Sequence, residues 1–189
     1  MTNVLLLHHA QGLTPGVVAF ADALRAAGHT VHTPDVYDGH TFDDLESGIA
    51  YAGQVGFETI MQRGVAAAEG LPGTTVYIGL SLGVMAAQQL AQTRPGSAGA
   101  VFVGSCLPAS EFGGWPDGVP VQVHGKDADP IFVDEGDLDA ARALVASVED
   151  AELFLYPGDE HLFLDSSLSA YDAVATAELT ARVLDFLAR

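Results

Sequence analysis

The sequence predicts a three-layer α/β fold, in which helices cover both faces of a mostly parallel, six-stranded sheet. Apolar runs of strand length alternate with segments of helical periodicity from one end of the chain to the other. The first run, Val4–Leu7, shows no polar alternation, as expected for a strand buried on both faces. No repeat, linker or low-complexity segment divides the chain, so residues 1–189 are expected to form a single domain.

The first helix and second strand follow from local signals. Pro15 suits the first turn of a helix, and Gly28 suits its end. The β-branched run after this glycine predicts the second strand at Thr30–Val36.

Residues 41–70 carry a helical stripe that glycines interrupt. Thr41 and Asp44 resemble a capping pair at a helix start. Gly53 and Gly56 break the stripe before it resumes, so the pattern predicts two helices or one broken helix.

The second half of the chain repeats the alternation. Strands are predicted at Thr75–Leu80, Ala100–Val103, Pro120–His124 and Ala151–Tyr156. Helices are predicted from Ser81 to just before Pro95, over Asp137–Val148 and over Tyr171–Leu187. Active sites of such sheets lie beyond the carboxyl ends of the strands, so residues that directly follow a strand are the best candidates.

Composition excludes several classes of protein. Seven basic against 25 acidic residues give a net charge of −18, which repels phosphate backbones and anionic membranes, so we expect no nucleic-acid or membrane partner. No apolar run approaches a membrane span, and the N-terminus lacks the basic flank of a signal peptide. The single cysteine, Cys106, excludes internal disulfides and cysteine-clustered metal sites. These features predict a cytoplasmic location.

The segment Gly79-Leu80-Ser81-Leu82-Gly83 lies between a predicted strand and an alanine-rich helix. In that context G-x-S-x-G indicates a sharp turn that presents a strained serine above the sheet, with glycines where a Cβ would collide. We therefore interpret Ser81 as a nucleophile. The alternative is an ordinary turn with a helix-capping serine.

A nucleophilic serine needs a base and an acid, which follow it in that order in this arrangement. Five of the seven histidines precede Ser81, and only His161 follows both the last strand and an acidic strand-end loop. We therefore predict His161 as the base. Asp129 is preferred as the acid because Pro130 holds it extended, and Asp127 is the alternative.

The oxyanion hole requires two backbone N–H groups. Position predicts Leu82, which follows the nucleophile, and either Ala10 or Gln11 from the loop after the first strand. In the same loop, His9 is expected to lie near the nucleophile or, like His8, to be an ordinary strand-end histidine with satisfied hydrogen bonds. A metal site built on these histidines lacks a third ligand at a sensible spacing, and no metal is expected.

The loop at 105–118 contributes further candidates. Trp115 and Phe112 are predicted to wall the acyl pocket, or else to pack this loop against the sheet. Cys106 is interpreted as a small buried residue and not as a second nucleophile.

These pieces resemble the dienelactone hydrolase family of small α/β-hydrolases. The resemblance is carried by the elbow at 79–83, the acid loop His124–Pro130, and His161-Leu162-Phe163 after a Pro-Gly turn. It implies a parallel sheet without the first two antiparallel strands of larger α/β-hydrolases. It also implies hydrolysis of a small ester or lactone through an acyl-enzyme, without a cofactor.

Two positions depart from the family pattern. The founding members use a cysteine nucleophile, where this chain has Ser81, and the change favours carboxylesterase chemistry. They also hold the substrate carboxylate with arginines, one of them four residues after the histidine, where this chain has Asp165. A neutral or cationic ester is therefore expected as the substrate.

Two other classes of function fit the same residues. A thioesterase or small peptidase would use the same three side chains with a different leaving group. A non-catalytic α/β module would bind a ligand and leave Ser81 unreactive. The chain is expected to act as a monomer or small homo-oligomer.

Overall fold

Six strands and seven helices alternate along residues 1–189, which the computed structural model describes in full. The strands are β1 (Asn3–Leu7), β2 (Thr30–His32), β3 (Thr75–Leu80), β4 (Gly99–Val103), β5 (Val121–Lys126) and β6 (Ala151–Tyr156). The helices are α1 (Pro15–Ala26), α2 (Leu45–Val55), α3 (Phe57–Ala66), α4 (Val84–Thr93), α5 (Pro130–Asp134), α6 (Asp137–Ser147) and α7 (Ala173–Leu187). None of these helices combines the length and apolar character that crossing a membrane requires.

The strands form one sheet in the order β2-β1-β3-β4-β5-β6, and every neighbouring pair is parallel. Each face of the sheet has its own apolar cluster. Helices α1 and α7 cover one face through Phe20, Leu179 and Val183, and α3, α4 and α6 cover the other. The predicted three-layer α/β fold is therefore confirmed, with a sheet that is wholly parallel.

Strand β2 ends at His32, so the prediction that it continues to Val36 was wrong. It is an edge strand whose pairing with β1 stops at the Leu5–His32 pair. Pro34 has no N–H to donate to a ladder, and the Val36 N–H donates to the ring Nε2 of His8 at 3.1 Å. Strand β2 therefore ends early for three reasons: it lies at the edge of the sheet, Pro34 has no N–H, and the Val36 N–H donates to a side chain.

The glycine-interrupted segment forms two helices, α2 and α3, that separate at Gly56, where φ is +98°. The helix cap predicted at Thr41 is corrected to Asp44, whose Oδ1 accepts the Ser47 N–H at 2.7 Å. The short helix α5 was not predicted. It begins at Pro130, directly after Asp129, which is its N-cap.

The strand order places the site. Strand β1 lies between β2 and β3 in the sheet. The connection from β1 to β2, through α1, therefore runs on one face, and the connection from β2 to β3, through α2 and α3, runs on the other. A crevice opens at such a switch point, beyond the carboxyl ends of the strands. The loop after β1 and the turn after β3 meet there, and these two segments carry His9 and Ser81.

Two helical glycines should respond in opposite ways to alanine. A Cβ on Gly64 in α3 would lie 2.7 Å from Ala86 Cβ in α4, whereas Gly53 in α2 has space for one. We expect Gly64→Ala to lower the free energy of unfolding by about 1–3 kcal/mol through overpacking. Gly53→Ala should raise it by about 0.5–1 kcal/mol through helix propensity. Urea denaturation followed by circular dichroism measures both changes, and equal changes would contradict the packing.

Candidate active site

Ser81 lies at the apex of a strained turn between β3 and α4. Its φ of +47° is in the left-handed region that residues with a Cβ seldom adopt. A Cβ on Gly79 would lie 2.5 Å from Val84 Cα, and one on Gly83 would lie 2.4 Å from Leu7 O. Both glycines of the motif are therefore required for the tight turn that the sequence predicted.

His161 faces Ser81 from the loop after β6. Its Nε2 lies 2.7 Å from Ser81 Oγ, and its side chain is only 8% exposed. The close approach of the ring to β4 is possible because residue 104 is glycine, with φ at +73° and the ring Cε1 3.3 Å from where a Cβ would stand. Strand-end loops thus bring together two residues 80 positions apart in sequence.

Asp129 supports the far side of the imidazole. Its Oδ2 lies 2.6 Å from His161 Nδ1, while its Oδ1 accepts the Ile131 N–H at 2.9 Å as the N-cap of α5. The backbone of Asp129 is extended, as the following Pro130 predicts. The alternative acid, Asp127, has a different contact, because its carboxylate accepts the Gly158 N–H at 3.1 Å.

This geometry determines where protons lie. With Nδ1–H donating to Asp129, the Nε2 of His161 is free to accept the proton of the Ser81 hydroxyl. The arrangement can therefore remove a proton from Ser81 Oγ and stabilise the resulting imidazolium with a carboxylate that is 1% exposed.

Lys126, which the sequence analysis missed, joins the loops that carry Asp129 and His161. The buried Nζ donates to Pro157 O at 2.8 Å and pairs with Asp172 and Glu160. The only sequence signal was a lysine at the end of a strand buried on both faces, in a chain with seven basic residues. Its charge orders the turn that precedes His161.

The predicted oxyanion donors have different surroundings. Leu82 lies in the 3-10 turn Ser81–Gly83, where the first N–H groups of a helical segment have no partner within it. The N–H of Ala10 is buried and donates to no other group of the chain. The N–H of Gln11, in contrast, donates to His9 Nδ1 at 3.2 Å. Of the two alternatives in this loop, Ala10 has the free donor.

His9 pairs with Asp165 beside Ser81. Its Nε2 lies 2.8 Å from Asp165 Oδ2, and both side chains are almost completely buried. Asp165 also accepts hydrogen bonds from the hydroxyls of Thr14 and Ser167 and from the Ser167 N–H. Burial opposes ionisation of this carboxyl, but the hydrogen bonds from His9, Ser167 and Thr14 lower the pKa of Asp165 from 3.8 to about 2.

Two further histidines are structural. His8 donates from Nδ1 to His9 O at 2.8 Å and accepts the Val36 N–H, and burial lowers its pKa to about 4. His124 lies between the Tyr156 hydroxyl and the Gln122 amide, and burial lowers its pKa to about 3. Both imidazoles are therefore neutral near pH 7 and have their hydrogen bonds satisfied.

The small pocket beside Ser81 has an apolar wall. Its volume is only about 10 Å³, and it is lined by His9, Leu80, Ser81, Val103, His161, Leu162, Leu164 and Asp165. A wider groove of about 270 Å³ lies across His161 and includes Gln11, Asp43, Asp44, Leu45 and Leu168. A larger open depression of about 430 Å³, between α3 and α4, contains none of the predicted site residues.

Trp115 and Phe112 do not line the pocket beside Ser81. The indole N–H of Trp115 donates to Val119 O at 2.8 Å, and its ring meets Phe102 edge-on. Trp115 lines a depression formed by residues that precede β5 and β6, at the amino ends of the strands. Of the two predicted roles, Trp115 therefore has the second, because it packs the 105–118 loop and does not wall the acyl pocket.

Other reactive groups do not form a second site. Burial raises the pKa of the Cys106 thiol to about 12, so it is protonated near pH 7. No group of three or more His, Cys, Asp or Glu side chains is arranged to hold a metal ion.

Comparison with known proteins gives a family and a fold. The model of the dienelactone hydrolase family matches residues 1–189. A dienelactone hydrolase-like promiscuous phosphotriesterase from metagenomic libraries is 21% identical, with a TM-score of 0.75 over 100% of this chain and 86% of that one. Alpha/beta hydrolase domain-containing protein 10 from mouse is 14% identical, with a TM-score of 0.71 over 99% and 89% of the two chains.

A cold-adapted esterase from an Arctic intertidal metagenomic library is 15% identical, with a TM-score of 0.59 over 98% of this chain and 83% of that one. At these identities the likeness shows the fold. No curated protein matches the chain by sequence.

The depressed pKa of Asp165 predicts a specific loss of stability in acid. Because this pKa is about 2 in the folded chain and near 3.8 when unfolded, its contribution is complete above about pH 4 and is lost as pH falls towards 2. The stability difference between the wild type and Asp165→Asn should therefore shrink by about 2 kcal/mol between pH 5 and pH 2. Urea denaturation at each pH measures it.

The exposed Asp185→Asn on α7 is the matched control for the removal of one carboxylate. A constant difference for Asp165→Asn would contradict the hydrogen-bonded carboxylate.

Proposed function

We propose that this chain, which belongs to the dienelactone hydrolase family, is a serine hydrolase that cleaves a small carboxylic ester or lactone through an acyl-enzyme. The observation that carries the proposal is one continuous set of contacts. Ser81 Oγ lies 2.7 Å from His161 Nε2, and His161 Nδ1 lies 2.6 Å from Asp129 Oδ2. These distances suit a nucleophile, its base and the acid that orients the base.

Acylation follows from this geometry. The Oγ of Ser81 attacks the ester carbonyl carbon while His161 Nε2 takes the hydroxyl proton, and Asp129 stabilises the imidazolium. The tetrahedral oxyanion accepts hydrogen bonds from the N–H groups of Leu82 and Ala10. When the bond to the leaving group breaks, His161 returns the proton to the departing alkoxide, which leaves as the alcohol.

Deacylation uses the same groups in reverse. A water molecule gives its proton to His161 Nε2 and attacks the acyl carbon, and the Ser81 oxygen leaves with the proton from the imidazolium. A serine alkoxide is less accessible than a cysteine thiolate, because the hydroxyl ionises only at far higher pH. Here the proton acceptor is His161, and the buried carboxylate of Asp129 stabilises the imidazolium that forms.

The two cavities suggest the substrate class. The pocket beside Ser81 is small and presents aliphatic side chains, which suits a short uncharged acyl group. The groove across His161 suits the leaving group, because His161 must deliver a proton to it. That groove contains Asp43 and Asp44, and the whole chain carries a charge of −18, so a neutral or cationic alcohol is favoured over an anionic one.

An activity-based probe tests the nucleophile directly. A fluorophosphonate should form a single Ser81 Oγ–P bond with loss of fluoride, detected by mass spectrometry of the intact protein. Ser81→Ala should give no adduct, His161→Ala should give almost none, and both should lower kcat on an activated ester by several orders of magnitude, about 10⁴-fold or more. The exposed Ser110→Ala and His32→Ala are matched controls that should behave as the wild type.

A folded wild type that neither reacts with the probe nor hydrolyses activated esters would contradict the proposal and support a ligand-binding module. Adduct formation with turnover of thioesters or amides, but not of oxygen esters, would keep the nucleophile and change the substrate class.

The pocket predicts a chain-length limit. For p-nitrophenyl esters, kcat/KM should fall as the acyl chain grows from acetyl towards octanoyl, because the aliphatic wall leaves little space. Leu164→Ala should raise kcat/KM for the hexanoyl ester by about 10-fold relative to the acetyl ester. Leu184→Ala, on α7 and outside the pocket, is the matched control with an unchanged ratio. An equal response of both variants would contradict the assignment of the pocket.

A further inference from the structure

The wall of the Ser81 pocket contains a second acid–imidazole pair, which takes no part in the proposed proton transfers. His9 Nε2 lies 2.8 Å from Asp165 Oδ2, and the two residues are 156 positions apart. The exposed fraction is 2% for the His9 side chain and 1% for Asp165. Burial of ionisable groups is costly unless they are paired and hydrogen-bonded, and both groups meet that condition here.

The contacts of His9 determine its tautomer. Its Nδ1 accepts the backbone N–H of Gln11 at 3.2 Å, so Nδ1 carries no hydrogen. The hydrogen must therefore be on Nε2, which donates it to Asp165. His9 therefore makes two hydrogen bonds as a neutral imidazole. Its Nε2–H donates to the Asp165 carboxylate, and its Nδ1 accepts the Gln11 N–H of its own loop.

Asp165 is fixed by groups on both sides of the site. It accepts from the Thr14 hydroxyl at the start of α1 and from the N–H and hydroxyl of Ser167, at 2.8 Å and 2.6 Å. Gly16 leaves the space for this carboxylate, since a Cβ there would overlap Asp165 Oδ1. The anchor of His9 therefore belongs both to α1 and to the segment that follows His161.

Hydrogen bonds hold the loop after β1 on both sides of Ala10. Gln11 O accepts the Phe42 N–H at 3.0 Å, and the Gln11 side chain donates to Phe42 O at 2.9 Å. On the other side, His9 O accepts from His8 Nδ1. Next to these fixed groups, the N–H of the buried residue Ala10 donates to no acceptor within the chain.

We propose that His9 and Asp165 are a positioning pair that holds the Gln11 amide and thereby keeps the Ala10 N–H free and aimed as an oxyanion donor. This inference rests on the proposed function. It adds two residues, His9 and Asp165, that position backbone amides and do not touch the substrate. Removing one oxyanion donor lowers kcat by about 10²–10³-fold. A donor that is still present but wrongly oriented should therefore lower kcat by a smaller factor.

Three substitutions of His9 separate its two contacts. His9→Asn places an oxygen near the position of Nδ1 and keeps an acceptor for the Gln11 N–H, but it loses the contact with Asp165. His9→Gln places an N–H near the position of Nε2 and keeps the donor to Asp165, but it loses the acceptor. His9→Phe keeps the ring volume and loses both contacts. The same Asn and Gln substitutions at exposed His32 are matched controls.

The expected order of kcat on an activated ester is wild type, His9→Asn, His9→Gln and His9→Phe, with about a 10- to 100-fold fall for His9→Gln. KM should change by less than about threefold, because the loop stabilises the transition state and not the bound ester. Thermal stability should follow a different order. His9→Gln should be more stable than His9→Asn, because the Gln side chain still donates a hydrogen bond to the Asp165 carboxylate. A merely structural His9 would make activity and stability fall together.

Amide hydrogen exchange provides a readout that needs no turnover. The Gln11 amide should be protected in the wild type and in His9→Asn, and should exchange faster in His9→Gln. The Ala10 amide should gain protection when Ser81 carries a phosphonate, whose oxygen occupies the oxyanion position. The inference is overturned if His9→Gln keeps wild-type kcat, or if His9→Asn and His9→Gln are indistinguishable in both kcat and Gln11 exchange.

Failure of the proposed function has a different signature. A wild type with a protected Gln11 amide but no Ser81 adduct and no ester turnover would remove the oxyanion role together with the hydrolase assignment. A labelled, active wild type with an unprotected Gln11 amide would overturn the positioning pair alone.

Discussion

The strained backbone of Ser81 is the constraint on which the site depends. A non-glycine residue with φ at +47° carries a conformational cost of about 1–3 kcal/mol, and it persists only where its surroundings enforce it. Here β3 supplies that enforcement, because all six of its residues are buried and it pairs on both sides, with β1 and β4. Gly79 and Gly83 then let α4 and β1 approach closely enough to fix the turn.

Two buried charged residues, Lys126 and Asp165, order the loops around that turn. Lys126, at the end of β5, contacts Pro157 after β6 and Asp172 before α7, and so links the strand ends that precede Asp129 and His161. Asp165 has no cation beside it, and its charge is stabilised by neutral donors from three segments of the chain. In a chain with so few basic residues, hydrogen bonds from neutral groups stabilise this buried carboxylate without a paired cation.

Much of the fold could be predicted from local patterns. Strands β3 and β6 have the predicted bounds, because apolar runs and flanking turn residues mark them clearly. The second strand was predicted too long, since its β-branched residues continue past the point where pairing with β1 stops. The helix start was assigned to Thr41 because sequence alone cannot show which of two capping side chains meets a free amide. Sequence alone also left two roles open for Trp115, and the choice depends on the path of the 105–118 loop, which turns back towards the amino ends of the strands.

The sequence by itself determined the alternation of strands and helices, the elbow at Ser81 and the order in which base and acid candidates follow it. These features are local, or follow from chain order, so a single sequence contains them. Only the tertiary structure decided which carboxylate meets His161, which backbone amide stays free, and that His9 and Asp165 form a pair. Such contacts join residues as many as 156 positions apart, so sequence spacing does not predict them. Backbone donors also have no side-chain signature.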